Sequence, residues 1–191
     1  MSARKHGLAA AALLLSLLGS WQVAAAGWIH AKARLAQHLI GTAWDRAQTS
    51  GLPSRPWPGA DLKPVARLTV PSRDVSLYVL DNATPRALAF GPAHMGGTAS
   101  PGASGNSVIV AHRDTHFAFL RELSPGDAIE VQALRGHASY RVREVSVVHQ
   151  SDARVLESRD GDELTLITCF PFFAARPGTE LRYVVVADRV A

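Results

Sequence analysis

Leu164-Thr165-Leu166-Ile167-Thr168-Cys169 is an apolar, β-branched run that ends on the only cysteine among 191 residues. The Asp160-Gly161-Asp162 turn signal precedes it and Phe170-Pro171 follows, which predicts a buried strand of about six residues with the thiol at its end. An unpaired cysteine builds no disulfide framework, so its use depends on reactivity, which a neighbouring cation raises by favouring the thiolate. A lone cysteine is more often a small buried hydrophobe than a nucleophile, so Cys169 by itself carries no assignment.

Alternating apolar residues extend outward from this run on both sides. Short strands are predicted at Ala66 to Val70, Val75 to Leu80, Ser107 to His112, Ala128 to Ala133, Ser139 to Val148, Leu164 to Cys169 and Leu181 to Ala187. Glycine, proline and aspartate punctuate them, as in an all-β barrel. One helix is expected over His116 to Leu123, capped by Thr115, with Phe117, Leu120 and Leu123 on one face. Gly91 to Gly105 reads as a long loop.

Three of these strands end on chemically useful side chains. Ser107-Val108-Ile109-Val110-Ala111 runs into His112, where Arg113-Asp114-Thr115 turns polar. Beyond Cys169 the chain loops through Pro171, Pro177 and Gly178 and returns as Leu181-Arg182-Tyr183-Val184-Val185-Val186. If the two strands pair antiparallel, Arg182 comes back beside Cys169. Acyl transfer by a thiol needs a nucleophile, a proton carrier for the leaving amine and a fixed donor for the oxyanion. Singly, His112 reads as a strand-end histidine and Arg182 as a solvated charge; together with Cys169 they supply all three parts. Asp114 is better read as a cap or a partner of Arg113 than as an orienter of His112, and His116 as a surface residue or one just behind the site rather than a catalytic one. Arg176, in the loop, is the rival to Arg182.

Composition limits the other possibilities. The net charge is +4 and the pI about 9.7, yet the twenty Lys and Arg are scattered, which argues against nucleic-acid binding. No CxxC or HExxH spacing and no Walker lysine occurs, so no metal and no cofactor is expected. Arg4, Lys5 and His6 precede Gly7 to Ile29, 23 residues without formal charge, long enough to span a bilayer. The Ala24-Ala25-Ala26 run resembles a signal-peptidase site, but the full apolar length favours an uncleaved anchor with an inside N-terminus, Trp21 and Trp28 forming an aromatic belt. Residues 1–30 are therefore read as a transmembrane segment. Residues 31–63 read as a juxtamembrane helix, with Leu35, Leu39, Ile40 and Trp44 at helical spacing, then a proline-rich spacer. Residues 64–191 read as the soluble domain, expected outside the cytoplasm if that orientation holds.

Thr165-Leu166-Ile167-Thr168-Cys169, with His112 upstream and Arg182 downstream, resembles the active-site pattern of the sortases, membrane-anchored cysteine transpeptidases. Gly97-Thr98, Pro101-Gly102, Gly105-Asn106 and Ala111-His112-Arg113-Asp114-Thr115-His116-Phe117 resemble the approach to the sortase histidine. Cys169-Phe170-Pro171-Phe172 is similar to the class D-like and Gram-negative forms. The likeness covers roughly Val65 to Val190; Ala111 departs from the glycine that many relatives carry before the histidine. It implies a closed eight-stranded β-barrel with one or two short helices and a site at one end of a groove. It further implies an LPXTG-like sorting signal near the C-terminus of a secreted protein as substrate, and an amine as acceptor. The implied roles are nucleophile for Cys169, acid and then base for His112, and oxyanion or carbonyl donor for Arg182, with Thr168, Ile167 and Ala111 against the substrate. Two rivals keep the same barrel: a cysteine peptidase in which water replaces the amine, and a non-catalytic peptide-binding module.

Overall fold

The computed structural model of the chain describes residues 19–22, 33–158, 161–174 and 178–190. It divides into two units, Met1–His38 and Leu39–Ala191. In the first, residues 19–22 and 33–38 are helical. The expected anchor over Gly7 to Ile29 lies almost wholly outside the described residues, among which no helix is long and apolar enough to cross a membrane.

In the second unit eight strands close into a barrel in the order β1-β2-β3-β4-β7-β8-β6-β5. They are β1 (Pro64–Val70), β2 (Val75–Leu80), β3 (Ala93–His94), β4 (Asn106–Val110), β5 (Ala128–Ala133), β6 (Gly136–His149), β7 (Glu163–Phe170) and β8 (Leu181–Val190). Alternation puts Leu68, Ile109, Ile129, Val131, Leu164, Leu166, Val185 and Ala187 into the barrel core. Val108, Ile167, Val184 and Val186 point the other way, into a second cluster that also includes Val155 and Leu156. Strands β4 and β7 run parallel and are buried on both faces, which is why their sequences read as continuous apolar runs without a polar side.

The stretch read as a loop from Gly91 to Gly105 contains β3. Only two residues long, it pairs with Leu80 of β2 on one side and with Val110 and Ile109 of β4 on the other, and so closes the barrel. Two residues are too few for a periodic signal. The helix expected over His116 to Leu123 is instead a run of turns followed by a 3-10 helix, Ala118–Glu122. Phe117, Leu120 and Leu123 are all buried as expected, but their spacing of three is the period of a 3-10 helix. No side chain caps it; the Thr115 carbonyl accepts from the Ala118 amide, and the hydroxyl does not serve.

Residues 39–50 form helix α1. Its Ile40, Ala43, Trp44 and Ala47 are buried, and the Trp44 ring lies 6.4 Å from Tyr78 of β2. Gly41 permits that approach, since a Cβ there would stand 3.1 Å from the Tyr78 hydroxyl. The proline-rich stretch that follows is non-helical, as its composition predicts, but it does not stand clear of the barrel. Ala60 and Leu62 are buried, and Trp57 meets Phe90 edge-on at 5.4 Å. The Lys63 amide donates to Asp81 Oδ1 at 2.9 Å. Of the helically spaced apolar residues, Ile40 thus packs with Leu62, Leu80 and Tyr78, whereas Leu35 is exposed. A second short helix, α2 (Pro85–Leu88), is capped by Thr84, whose hydroxyl accepts from the Ala87 amide at 3.1 Å.

Candidate active site

Three neighbouring strands, β4, β7 and β8, bring the three sequence-predicted residues into one row. Strands β4 and β7 keep a constant register, 163 against 106 at one end and 167 against 110 at the other. Two hydrogen bonds continue it past the last ladder pair: the Ala111 amide donates to the Ile167 carbonyl at 3.3 Å, and Thr168 Oγ1 donates to the Ala111 carbonyl at 2.7 Å. The strand expected to reach His112 ends at Val110; extending the same register two residues beyond β4 would set His112 level with Cys169. On the other side Cys169 pairs with Arg182 across β7 and β8, and Arg182 in turn pairs with Val148 of β6. Neighbouring strands lie about 4.8 Å apart, so the row is compact enough to share one peptide bond.

Alternation also fixes the face. Thr165 and Ile167 lead to Cys169 on β7, and Val186 and Val184 lead to Arg182 on β8, all on the side away from the barrel core. Cys169 is a free, half-buried thiol and His112 is exposed. The Arg182 guanidinium is held rather than loose. Its Nη1 donates to the Thr179 carbonyl at 2.6 Å and the Leu181 carbonyl at 2.9 Å, and its Nη2 to Gln150 Oε1 at 3.0 Å. Arg176, the rival donor, lies outside the described residues.

A cleft of about 390 Å³ opens beside Cys169 and Arg182. Its floor and walls are apolar, from Leu88, Met95, Val110, Val155, Leu156 and Ile167, and its rim is polar, from His149, Gln150, Ser151 and Asp152. An apolar trough with a few polar groups at one end suits an extended peptide with aliphatic side chains. A larger hollow of about 610 Å³ between Gly51–Pro53 and Ser100–Ala103 is lined by neither Cys169, His112 nor Arg182. Of the three residues expected against substrate, Ile167 and Thr168 line the cleft, whereas Ala111 does not and has its side chain in the barrel core. The Thr168 hydroxyl is already engaged by the Ala111 carbonyl, so it ties the end of β4 to β7.

Several residues that shape this site had no role assigned from the sequence. Asn106 is buried; its Nδ2 donates to the Val155 carbonyl at 3.1 Å and the Glu157 carbonyl at 3.0 Å, and its Oδ1 accepts from Thr165 Oγ1 at 2.8 Å. It pins the 3-10 turn Ala153–Leu156, one wall of the cleft, to the strand that carries His112. A polar residue opening an apolar strand is the only trace of this in the sequence. Gln150 and Leu88 left no trace. His116 is half-buried, the second of the two places the sequence left open for it. That burial first, and then the positive charge of His112, push its imidazole below the usual histidine value, while Asp114 acts in the opposite sense.

The structure is a closed eight-stranded barrel with a free thiol at one strand end, paired with an arginine on the neighbouring strand. The chain matches the family model described as Sortase domain over residues 68–190. It belongs to the sortase family. Among characterised relatives it is similar to Sortase D of Bacillus subtilis (strain 168), 27% identical over 124 residues, covering 64% of this chain and 62% of that protein. Sortase A of Bacillus anthracis is 30% identical over 130 residues, covering 66% of this chain and 60% of that protein. The match thus spans about three fifths of the length of either relative. The crystal structure of sortase C-1 from Actinomyces oris superposes with a TM-score of 0.59 at 33% identity, covering 67% of this chain and 75% of that one.

Proposed function

We propose that this chain is a membrane-anchored cysteine transpeptidase, close to the class D-like forms, that joins secreted proteins to an amine. The observation that carries the reading is the pairing of Cys169 with Arg182 at an apolar cleft, with His112 just beyond the end of the neighbouring strand. The peptide of an LPXTG-like signal lies along the cleft, its aliphatic residues against Ile167 and Leu156. The Cys169 thiolate attacks the carbonyl carbon of the scissile bond, and Arg182 donates N–H to the oxygen as it gains charge. His112, as imidazolium, gives its proton to the departing amine as the C–N bond breaks, leaving a thioester on Cys169. The incoming amine then attacks the thioester carbon, passes a proton to the neutral imidazole and releases the thiolate. Thr168 and Ala111 serve through their mutual bond, by keeping the His112 strand end against β7. The uncharged stretch Gly7 to Ile29 anchors the chain, with residues beyond it on the extracytoplasmic side.

Incubation with an LPXTG-type peptide and a free amine tests this. Amine-linked product is expected. Hydrolysed product alone would make the chain a peptidase of the same fold, and no product would leave a peptide-binding barrel.

A further inference from the structure

Two residues outside the row join its ends. Arg113 follows His112 directly, and its guanidinium donates from Nη1 to Thr179 Oγ1 at 3.1 Å and from Nη2 to the Ala174 carbonyl at 3.2 Å. Those acceptors lie on the outgoing and incoming limbs of the connection between β7 and β8, so one planar fork grips both. Thr179 also serves the other arginine, since its carbonyl accepts from Arg182 Nη1 at 2.6 Å. Among the described residues, Thr179 therefore takes a bond from both guanidinium groups, one next to His112 and one across from Cys169.

We infer that Arg113 and Thr179 form a positioning latch that holds the Arg182 guanidinium in a fixed place relative to the His112 turn, with Cys169 between them. The inference rests on the roles proposed above for those three residues; neither latch residue touches the reacting atoms. The need for it is physical. His112 sits past the end of the β4 ladder on an exposed polar turn, and Arg182 is a long side chain with several rotatable bonds. Nothing in the strand register alone fixes where either functional group points. Acyl transfer is sensitive to such placement, a shift of about 1 Å costing on the order of 10²-fold.

Thr179→Val keeps the shape and the branched β-carbon but removes the acceptor; Thr179→Ser keeps the acceptor. The latch predicts that Thr179→Val lowers kcat for peptide transfer about tenfold or more with KM within about twofold, and that Thr179→Ser restores most of the loss. Arg113→Lys follows Thr179→Val, because an ammonium cannot reach two acceptors in a fork. Alkylation of Cys169 by iodoacetamide at neutral pH needs no peptide, and it slows about threefold or more in Thr179→Val but not in Thr179→Ser. Equal alkylation in the wild type and in a Thr179→Val chain that melts with it overturns the latch, whatever the peptide assay gives. A wild type that alkylates normally but forms no thioester with any sorting peptide sinks the transpeptidase reading instead, and the latch is then judged on alkylation alone.

Discussion

At the scale of single residues, the row His112, Cys169, Arg182 makes distinct demands on each member. Cys169→Ala and His112→Ala each abolish turnover while the thermal melt stays that of the wild type, since one side chain is half-buried at a strand end and the other exposed. Residual turnover in either, read by product chromatography, removes that residue from the mechanism. Arg182→Lys keeps the charge but not the fork, which now reaches two carbonyls and Gln150; a loss of about 10²-fold or more in kcat is expected, the scale of removing one oxyanion donor. His116 gives a readout of the site's charge. Its imidazole is held down by burial and by His112, so the titration followed by NMR lies below the ordinary 6.5 and moves upward in His112→Ala. A midpoint that stays put in that variant separates the two histidines electrostatically. The pairing of Cys169 with Arg182 was readable from a strand end and the return of β8, whereas His112 lies two residues past the end of β4. Asn106, Arg113 and Thr179 were not readable, because each works through a bond to a partner 49 or more residues away, which no local pattern encodes.

At the scale of elements, strand existence was legible wherever five or more residues alternate or run apolar. Strand β3 escaped because two residues carry no period, and the expected α-helix resolved as a 3-10 helix because a spacing of three serves both until the turn is seen. The cleft wall Ala153–Leu156 depends on Asn106. Asn106→Ala removes the donors to two carbonyls and the acceptor of Thr165, which destabilises the chain by about 1–3 kcal/mol and raises KM for peptide more than it lowers kcat. Denaturant titration and steady-state kinetics check the two halves; an unchanged KM detaches the wall from substrate binding. At the opposite end of the same strands, Asp162 accepts from the Gly105 amide at 3.0 Å and from Arg189 at 3.2 Å. The Gly105 amide first, then Arg189 and Ser104, hold its carboxyl below the ordinary 3.8. A depressed carboxyl contributes stability that is present above that ordinary value and lost as pH falls through the folded one. Asp162→Asn is therefore less stable than wild type at neutral pH, and the gap closes as pH falls below the ordinary carboxyl value. A gap that persists in acid makes the effect one of packing.

At the scale of the molecule, the barrel does not begin where its first strand begins. Composition drew a spacer up to Pro64, because prolines break helices; what composition cannot show is that Ile40, Trp44, Ala60 and Leu62 find buried places against Tyr78, Leu80 and Phe90. Burying Ile40 and Leu62 alone contributes about 1.5–3 kcal/mol each. A chain starting at residue 64 thus melts well below one starting at residue 39, by more than the roughly 2–8 °C that a single kcal/mol moves a domain of this size. Equal melting temperatures place residues 39–63 outside the cooperative unit.

The claim on which everything above depends is that the thiol, imidazole and guanidinium of one register row act on one peptide bond. Intact-mass spectrometry of the protein mixed with an LPXTG-type peptide, quenched in acid and mapped by proteolysis, addresses it directly. The account predicts a thioester on Cys169 that disappears on adding an amine and does not form in Arg182→Lys within the same time. A wild-type protein that stays unmodified, or an adduct that forms as fast without the Arg182 guanidinium, contradicts it.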